Sequence, residues 1–253
     1  MGIHIQQLKD IIRGKLLKHG ISATQAEASN NADALTIRLL NESGANLVID
    51  VGAHIGEFAL QVLRASRGVP VLSFEPVPEV FGKLEQSARR HKLWRVMNLA
   101  LGDQTRTADI NISSNRTASS LFAPSRLGLN YTGFETVEKV AIQIERLDNV
   151  LTREHPNLES TRIYLKMDVQ GFELSVLNGL GNLLSNVVAC QAELSLVELY
   201  EGQPSAYEIY SWLLSNGFLL YAVSNSLSDR ETGALHQVDG FFIRRPQKRT
   251  EAK

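Results

Sequence analysis

Short apolar runs alternate with stretches of helical periodicity along most of the chain. Such runs, when bounded by turn residues, are typical of buried parallel strands, and apolar residues spaced by three and four are typical of amphipathic helices. The apolar runs occupy residues 46–52, 69–76, 94–100, 162–168, 186–194, 218–223 and 240–245. Helical patterns fall between them, at about 56–66, from Pro78, at about 171–178, and from Ser205, where Glu208 completes a capping box. The alternation predicts a doubly wound, mostly parallel α/β sheet with one of the last two strands antiparallel.

Three segments depart from this alternation. Residues 1–44 show two helical patterns: the first ends at Gly20, and the second opens at Ser22, with Gln25 in capping-box register, and runs to Gly44. Residues 103–145 contain two alternating strands, TADINI and VEKVAIQI, separated by a long stretch rich in Ser, Asn, Gly and Pro. We therefore expect an N-terminal helical cap over 1–44, a main domain over 45–246 with a hairpin and loop excursion at about 103–145, and a disordered tail over 247–253.

Composition restricts the class of protein. The 253 residues carry 26 Lys and Arg against 27 Asp and Glu, a formal net charge of −1, which argues against nucleic acid held by bulk electrostatics. No apolar run approaches the ~20 residues of a membrane span, and the N-terminal sequence lacks a signal-peptide core. Cys190 is the single cysteine, which excludes an internal disulfide and a thiolate zinc cluster. We expect a cytoplasmic protein with no nucleic acid or membrane as partner, whose N-terminal helices either cover the site of its substrate or form a homodimer.

The segment VIDVGAHIGEF has the form of a ligand-binding turn between a strand and a helix. Asp50 ends the apolar strand, and Gly52 and Gly56 bracket the turn, where glycine lets the backbone approach a ligand and the helix N-terminus offers free N–H groups. A dinucleotide fingerprint reads G-x-G-x-x-G, and its first G-x-G is missing here. The pattern favours a cofactor without pyrophosphate over NAD, although a plain tight turn would look the same. Glu75 ends the next strand, where an acid can accept both hydroxyl protons of a ribose.

The segment YLKMDVQGFELSVLNG brings charged side chains to the same edge of the sheet. Lys166 and Asp168 lie two residues apart and therefore on one face of the strand, with Asp168 at its carboxyl end. Glu193 comes near the end of the following strand. Open α/β sheets bind ligands at the carboxyl ends of their strands, so we expect Asp168, Asp50 and Glu75 to converge on one crevice. Neither the G-x-S-x-G motif of hydrolases nor a P-loop occurs.

These motifs resemble those of the FkbM family of methyltransferases. The resemblance covers about residues 46–245 through separate blocks in the right order: VIDVGAHIGEF, FEPVPEVFGKL, NLALGD, ASSL, KMDVQGFELSVLNG, AELSLVELYEG and VDGFFIRR. It implies a class I methyltransferase, Rossmann-like fold that uses S-adenosyl-L-methionine, most often for O-methylation of sugars or secondary metabolites. By the same resemblance, the cofactor-binding residues would be Asp50, Gly52, Ala53, His54, Gly56, Phe58, Glu75, Pro76, Ala100, Leu101, Ser119 and Asp168.

The resemblance also assigns parts of the cofactor and shows two departures. Glu75 would bind the ribose, and Ala100 and Leu101 would lie by the adenine. His54 stands where Asn is common in the family, and Gln170 replaces the Glu of a common D-V-E-G-F-E. His54 is thus open as cofactor wall or as acid/base group. The methionine part would be lined by Asp50, Gly52, Ala53 and Gly56.

Methyl transfer to a hydroxyl requires a group that accepts the hydroxyl proton. Asp168 is our first candidate, followed by Lys166, Glu193 and His54, while Asp168 could instead hold the ammonium group of the cofactor. Asp168 and Glu193 could also hold a divalent cation such as Mg²⁺, but no third ligand is evident, and we assign no metal residues. Further candidates to shape the site are Ser119, Ser120, Glu198, Tyr200, His236 and Asp239.

The sequence leaves other functions open. An N-methyltransferase for a small molecule differs only in how strong a base the acceptor requires. A non-catalytic module that binds S-adenosylmethionine is disfavoured because Asp50, Glu75 and Asp168 are all present. An NAD-dependent oxidoreductase is disfavoured by the missing G-x-G.

Overall fold

A computed structural model describes residues 31–66, 68–131, 133–154 and 158–244. Its strands are β1 (Leu47–Val51), β2 (Val71–Phe74), β3 (Trp94–Met97), β4 (Ala100–Leu101), β5 (Arg106–Ser113), β6 (Thr136–Glu145), β7 (Ile163–Met167), β8 (Val187–Ser195), β9 (Phe218–Ser228) and β10 (Leu235–Arg244). Seven of them form the central sheet in the order β3-β2-β1-β7-β8-β10-β9. Neighbouring strands are parallel except at β10, which is antiparallel to both β8 and β9. The predicted doubly wound sheet with one antiparallel strand is confirmed.

Helices cover both faces of this sheet. The helices are α1 (Ala32–Ser43), α2 (Glu57–Ala65), α3 (Pro78–Ala88), α4 (Leu147–Glu154), α5 (Glu173–Asn178) and α6 (Ala206–Ser215). The helix α3 begins at Pro78, whose missing N–H costs nothing in a first turn. The helix α6 begins after Ser205, and both halves of the predicted capping box with Glu208 are present.

Strand β1 shows why two apolar layers form. All five of its residues are buried, and successive side chains point to opposite faces of the sheet. Leu47, Ile49 and Val51 lie in a cluster with residues of α4, α5 and α6. Val48 lies in the opposite cluster, with residues of α1, α2 and α3. Asp50 shares a face with Val48, so its carboxylate enters the α1, α2 and α3 side of the sheet.

The predicted excursion forms a small second sheet in the order β4-β6-β5. Its two long strands, β5 and β6, are antiparallel as expected. The run predicted as one strand over 94–100 is divided, because β3 ends at Met97 and Ala100–Leu101 pairs with β6 instead. Asn98 lies at the break and donates its side-chain amide to the carbonyls of Glu75 and Pro76, which turns the chain away from the main sheet.

The predicted N-terminal helices are described only in part. The helix α1 begins at Ala32 rather than at Ser22, because Asn31 has extended backbone and its side chain caps the helix by accepting the Asp33 N–H. Gly44, in the left-handed region, ends it as expected. The first predicted helix, the Ser22 capping box and the tail over 247–253 lie outside the described residues. The division into a cap, a main domain and a tail stays a prediction.

The order of the strands determines where a ligand binds. From β1 the chain proceeds outwards to β2 and β3 on one side, whereas β7 and β8 lie on the other side. The strand order therefore reverses between β1 and β7, and in open α/β sheets the crevice outside the carboxyl ends at such a point binds the ligand. The segments 52–56 and 168–172, which follow these two strands, meet there, because Gly52 lies against the Asp168 carbonyl.

Candidate active site

A cavity, which we call the first cavity, opens at the carboxyl ends of β1, β2 and β7. Residues of β4, β5 and β6 and of the loop between β5 and β6 complete its wall. Eight of the residues predicted to bind the cofactor line it: Gly52, His54, Glu75, Pro76, Ala100, Leu101, Ser119 and Asp168. The structure thus brings together residues from distant parts of the chain that the sequence analysis had grouped.

Glu75 is the buried acid of the first cavity, with 6% of its surface exposed. Its two carboxylate oxygens accept the backbone N–H groups of His54 and Val77, each over 2.9 Å. Burial raises the pKa of Glu75 to about 7, against the effect of these two hydrogen bonds. Each carboxylate oxygen has a second lone pair, so a carboxylate fixed in this way can still accept the two hydroxyl protons of a ribose.

The rest of the first cavity is largely apolar. Leu99 and Leu101 come from the β4 segment, Ile142 from β6, and Val169 and Phe172 from the segment after β7. Apolar side chains of this kind are suited to a planar base such as adenine, while the polar groups fix its orientation. A buried acid beside an apolar pocket therefore fits an adenine nucleoside.

The turn after β1 requires glycine for two different reasons. Gly52 has a φ of +74° and lies against the Asp168 carbonyl, so that any Cβ would overlap this oxygen. Gly56 has a φ of +92°, and a Cβ there would overlap the ring of Trp94. Between them, His54 adopts a φ of 49°, which is uncommon for a residue other than glycine. Gly52 therefore lines the cavity, whereas Gly56 serves the packing of α2 against β3.

A chain of polar groups lies beneath the site. The Trp94 indole donates to Ser73 Oγ, and Ser73 donates to Asp50 Oδ2, each over 2.9 Å. Lys166 Nζ lies 3.2 Å from Asp50 Oδ1 and 3.5 Å from Asp168 Oδ2, and it donates to the Gly52 carbonyl over 2.9 Å. Asp50 Oδ1 has no hydrogen bond of good geometry from the described residues, so the Lys166 charge is what compensates it.

These contacts assign Lys166 a role other than that of a base. Burial opposes the charge of its amine, but Asp50 and Asp168 together raise the pKa of Lys166 above its ordinary value. Lys166 therefore keeps its proton at neutral pH and does not fit the predicted role of proton acceptor. It fixes Asp168 and the turn at Gly52 in position.

A second cavity, of about 770 Å³, lies on the α1 and α2 side of the sheet. Its wall includes the predicted residues Ala53, Phe58, Lys166 and Glu193. Four residues line both cavities: Gly52, His54, Thr117 and Asp168. A group transferred from a ligand in one cavity to a ligand in the other would therefore pass beside Asp168 and His54. Burial lowers the pKa of His54, which keeps its imidazole uncharged and able to accept a proton.

Gln170 connects the two carboxylates that the sequence analysis considered as metal ligands. Its amide nitrogen donates to Asp168 Oδ1 over 2.8 Å and to Glu193 Oε2 over 2.7 Å. Its amide oxygen accepts the Tyr200 hydroxyl over 2.8 Å. Within the described part of the chain, no group of three or more His, Cys, Asp or Glu side chains is arranged to hold a metal ion. The amide of Gln170 lies where a cation shared by the two carboxylates would lie, so these residues do not fit a metal.

The long loop between β5 and β6 folds over the site rather than away from it. The Ser125 hydroxyl donates to the Glu198 carbonyl, the Ser120 hydroxyl to the Gln170 carbonyl, each over 2.6 Å, and the Tyr200 hydroxyl lies 3.0 Å from the Ala118 carbonyl. The two serine hydrogen bonds tie the loop to the segments that follow β7 and β8. Arg116 and Thr117 thereby reach the first cavity, although no sequence motif pointed to either residue.

Several predicted residues lie elsewhere than expected. Asp50 is fully buried beneath the turn and lines neither cavity. Ala53 and Phe58 line the second cavity rather than the first, because they precede and begin α2 on that side of the sheet. Tyr200 acts through Gln170 and the loop, and His236 contacts the Tyr131 hydroxyl instead of a cavity. Asp239, weighed only together with His236, does line the second cavity.

Among the residues that the structure describes, no helix is both long enough and apolar enough to cross a membrane.

Comparison with known proteins agrees with the resemblance noted in the sequence. The family model of the methyltransferase FkbM domain matches residues 50–220. Methyltransferase sdnD from Sordaria araneosa is 27% identical over 197 residues, which cover 68% of this chain and 73% of that protein. The 31-O-demethyl-FK506 methyltransferase FkbM of Streptomyces tacrolimicus is 28% identical over 208 residues, covering 72% of this chain and 76% of that protein.

A solved structure gives the corresponding result for the fold. The crystal structure of methyltransferase FkbM from Methylobacillus flagellatus KT superposes with a TM-score of 0.50 at 17% identity. The match covers 78% of this chain but 43% of that one, so this chain spans less than half the length of that protein. By its sequence match and its sheet, this chain belongs to the FkbM family of methyltransferases and has a class I methyltransferase fold.

Proposed function

We propose that this chain is an S-adenosyl-L-methionine-dependent O-methyltransferase that acts on a hydroxyl of a small molecule such as a sugar or a secondary metabolite. The observation that carries the proposal is the junction of the two cavities, where Asp168 and His54 belong to both walls. One cavity offers an acid for a ribose and an apolar pocket for a base, and the other offers room for an acceptor. The Streptomyces relative is named for an O-demethylated compound, which agrees with a hydroxyl acceptor.

The residues divide the work between the two cavities. Glu75 accepts the ribose hydroxyls, and the pocket around Leu101 and Ile142 receives the adenine. When bound, the cofactor supplies an electrophilic methyl group on a positively charged sulfur. Asp168, fixed by Lys166 and Gln170, accepts the proton that the hydroxyl loses as its oxygen gains the methyl group. Much of the acceleration comes from holding acceptor and donor in line across the junction.

The test is methyl transfer by the purified chain to a panel of hydroxylated small molecules, followed as a gain of one methyl group in mass. Asp168→Asn should lower kcat by a factor of about 100 to 10,000, the usual contribution of a general base. The affinity for S-adenosylhomocysteine should stay within a few-fold of wild type. Asp109→Asn, on the exposed part of β5, removes the same charge outside both cavities and should keep full activity.

Near-normal turnover by Asp168→Asn would remove Asp168 from the mechanism. Transfer to nitrogen only, with no hydroxyl product, would contradict the O-methyltransferase proposal while leaving the cofactor site intact.

A further inference from the structure

The second cavity has a charge that bears on its ligand. Five carboxylates and two basic side chains line it, and it is continuous with the first cavity through Asp168. The charged residues of the wall are Asp33, Glu57, Asp168, Glu193, Asp239, Arg64 and Lys166. Asp33 and Glu57 are exposed, so water screens their charges, and the negative potential inside the cavity comes from Asp168, Glu193 and Asp239.

The two basic residues do little to offset this potential. Lys166 Nζ is engaged with Asp50, Asp168 and the Gly52 carbonyl, so its charge is balanced within the protein. Arg64 is an exposed residue of α2, where water screens its charge. Of the described residues that line the second cavity, none therefore offers a buried, uncompensated cation to an anionic ligand.

Two of the carboxylates oppose each other directly. Asp239 on β10 is the cross-strand partner of Glu193 on β8. Two negative charges in this position destabilise a sheet, and a proton held by one of the two carboxyls relieves that repulsion. Burial, reinforced by the negative charge of Asp168, raises the pKa of Asp239 to about 6. Burial and the neighbouring Asp168, Glu173 and Asp239 raise the pKa of Glu193 well above its ordinary value.

The remaining polar groups of the second cavity indicate which ligand groups can form hydrogen bonds with its wall. Ser226 Oγ donates to Glu193 Oε1 over 3.2 Å, and Ser224 Oγ donates to Asp239 Oδ2 over 3.2 Å. Glu193 Oε2 also accepts from the amide nitrogens of Gln170 and Gln237, whereas the Asp239 carboxylate has no second donor among the described residues. A ligand with hydroxyl or ammonium groups supplies the donor that Asp239 lacks. Phe58 adds an apolar surface to the same wall.

Building on the proposed function, we propose that the second cavity selects its methyl acceptor by charge. It takes an uncharged or cationic molecule with several hydroxyl groups, and it excludes molecules that carry a phosphate or a carboxylate. Asp239 receives the hydroxyl or ammonium donors of the acceptor, next to Glu193. An entering anion would meet the repulsion that the carboxylates already exert on one another, whereas a neutral polyol or an amine would relieve it.

The experiment compares matched acceptors that differ in one group. The panel consists of methyl glycosides, aminosugars, uronic acids and sugar phosphates built on the same rings. Each compound is assayed for kcat/KM with saturating S-adenosylmethionine, or as a competitive inhibitor where it is not methylated. We expect the phosphate and the uronate to be on the order of tenfold or more poorer than the neutral member of their set.

Variants test whether the carboxylate wall causes this difference. Asp239→Asn should lower the ratio of kcat/KM between neutral and anionic acceptors several-fold, because it removes one of the buried charges that repel the anion. Asp109→Asn, exposed and outside both cavities, should leave the ratio unchanged. Both variants should keep the wild-type affinity for S-adenosylhomocysteine, which shows that they are folded.

Several results would contradict selection of the acceptor by charge. An anionic member that is methylated as fast as its neutral counterpart, or an unchanged ratio in Asp239→Asn, contradicts selection by charge. Binding of S-adenosylhomocysteine without turnover of any neutral or cationic member also contradicts it, while leaving the proposed cofactor site intact. Failure to bind S-adenosylhomocysteine at all would instead refute the proposed function.

Discussion

The positive charge of Lys166 connects two carboxylates at the base of the candidate active site. Its amine lies between Asp50, which is fully buried, and Asp168, which lines both cavities. A buried ion pair gives little net stability, but the loss of one partner leaves an uncompensated charge inside the protein. Asp168, placed at the cavity junction, depends on this cation for its position.

Lys166→Met should therefore destabilise the protein by about 3–5 kcal/mol, measured as the free energy of unfolding in urea. The double variant Asp50→Asn/Lys166→Met should recover part of this loss, because the unpaired carboxylate is gone. Lys83→Met, which breaks an exposed pair with Glu79, should change stability by about 0.5 kcal/mol or less. A loss under about 1 kcal/mol in Lys166→Met would show that Asp50 does not depend on this cation.

Among single residues, the sequence predicted most of the side chains that the structure brings to the two cavities, but not how deeply each is buried. Glu75 could be placed because a strand-end acid in a nucleotide-binding fold faces the ligand. The burial of Asp50 could not be predicted, because it results from contacts with Ser73 and Lys166 on neighbouring strands. Arg116 and Thr117 were missed because their position depends on how the β5–β6 loop docks, and no local pattern encodes that contact.

The turn between β1 and α2 determines how closely the protein can approach a ligand. Gly52 directly follows β1, and a Cβ at this position would overlap the Asp168 carbonyl, so this turn joins the carboxyl ends of β1 and β7. A side chain at this position would separate the two segments that form the cavity junction.

Gly52→Ala should abolish measurable binding of S-adenosylhomocysteine and should destabilise the protein beyond the ~1–2 kcal/mol cost of a left-handed alanine. Gly233→Ala is the matched control, since Gly233 has a φ of +72° with no atom within 4 Å of an added Cβ. Gly233→Ala should lose only the ~1–2 kcal/mol cost of a left-handed alanine, and it should bind S-adenosylhomocysteine with wild-type affinity. Equal urea stabilities and affinities in the two variants would contradict the close approach at Gly52.

Local sequence patterns predicted where the strands and helices lie better than they predicted which strands pair with one another. The alternation in TADINI and VEKVAIQI correctly predicted an antiparallel pair. The run at 94–100 was predicted as one strand because it is uninterrupted in sequence, yet the Asn98 amide bonds to Glu75 and Pro76 and divides it. Such a tertiary contact has no signature in the local periodicity.

Across the whole molecule, buried acids couple the fold to pH. Burial raises the pKa values of Glu75 and Glu173 to about 7, and that of Asp239 to about 6. The folded state thus binds more protons than the unfolded state between about pH 4.5 and pH 7. Their contribution to stability is fully present below this window and is lost as the pH rises through it.

Glu173→Gln should make the free energy of unfolding less dependent on pH in this window. Glu173 is 2% exposed, and one of its oxygens accepts the N–H groups of Val169 and Gly171, contacts that a glutamine oxygen can retain. Relative to wild type, the variant should gain up to about 3 kcal/mol between about pH 5 and pH 8. Glu85→Gln, on the exposed side of α3, should follow wild type. A parallel pH dependence in wild type and Glu173→Gln would contradict the buried titration.

Calorimetric titration with S-adenosylhomocysteine tests the central claim, that the first cavity binds an adenine nucleoside through Glu75, most directly. Wild type and Glu85→Gln should bind with equal affinity, and Glu75→Gln should bind about 10–100-fold more weakly, the expected loss of charge-assisted hydrogen bonds. Wild-type affinity should rise with pH through about 7, because the ionised form of Glu75 accepts both hydroxyl protons. No heat of binding in wild type, or undiminished affinity in Glu75→Gln, would contradict the claim.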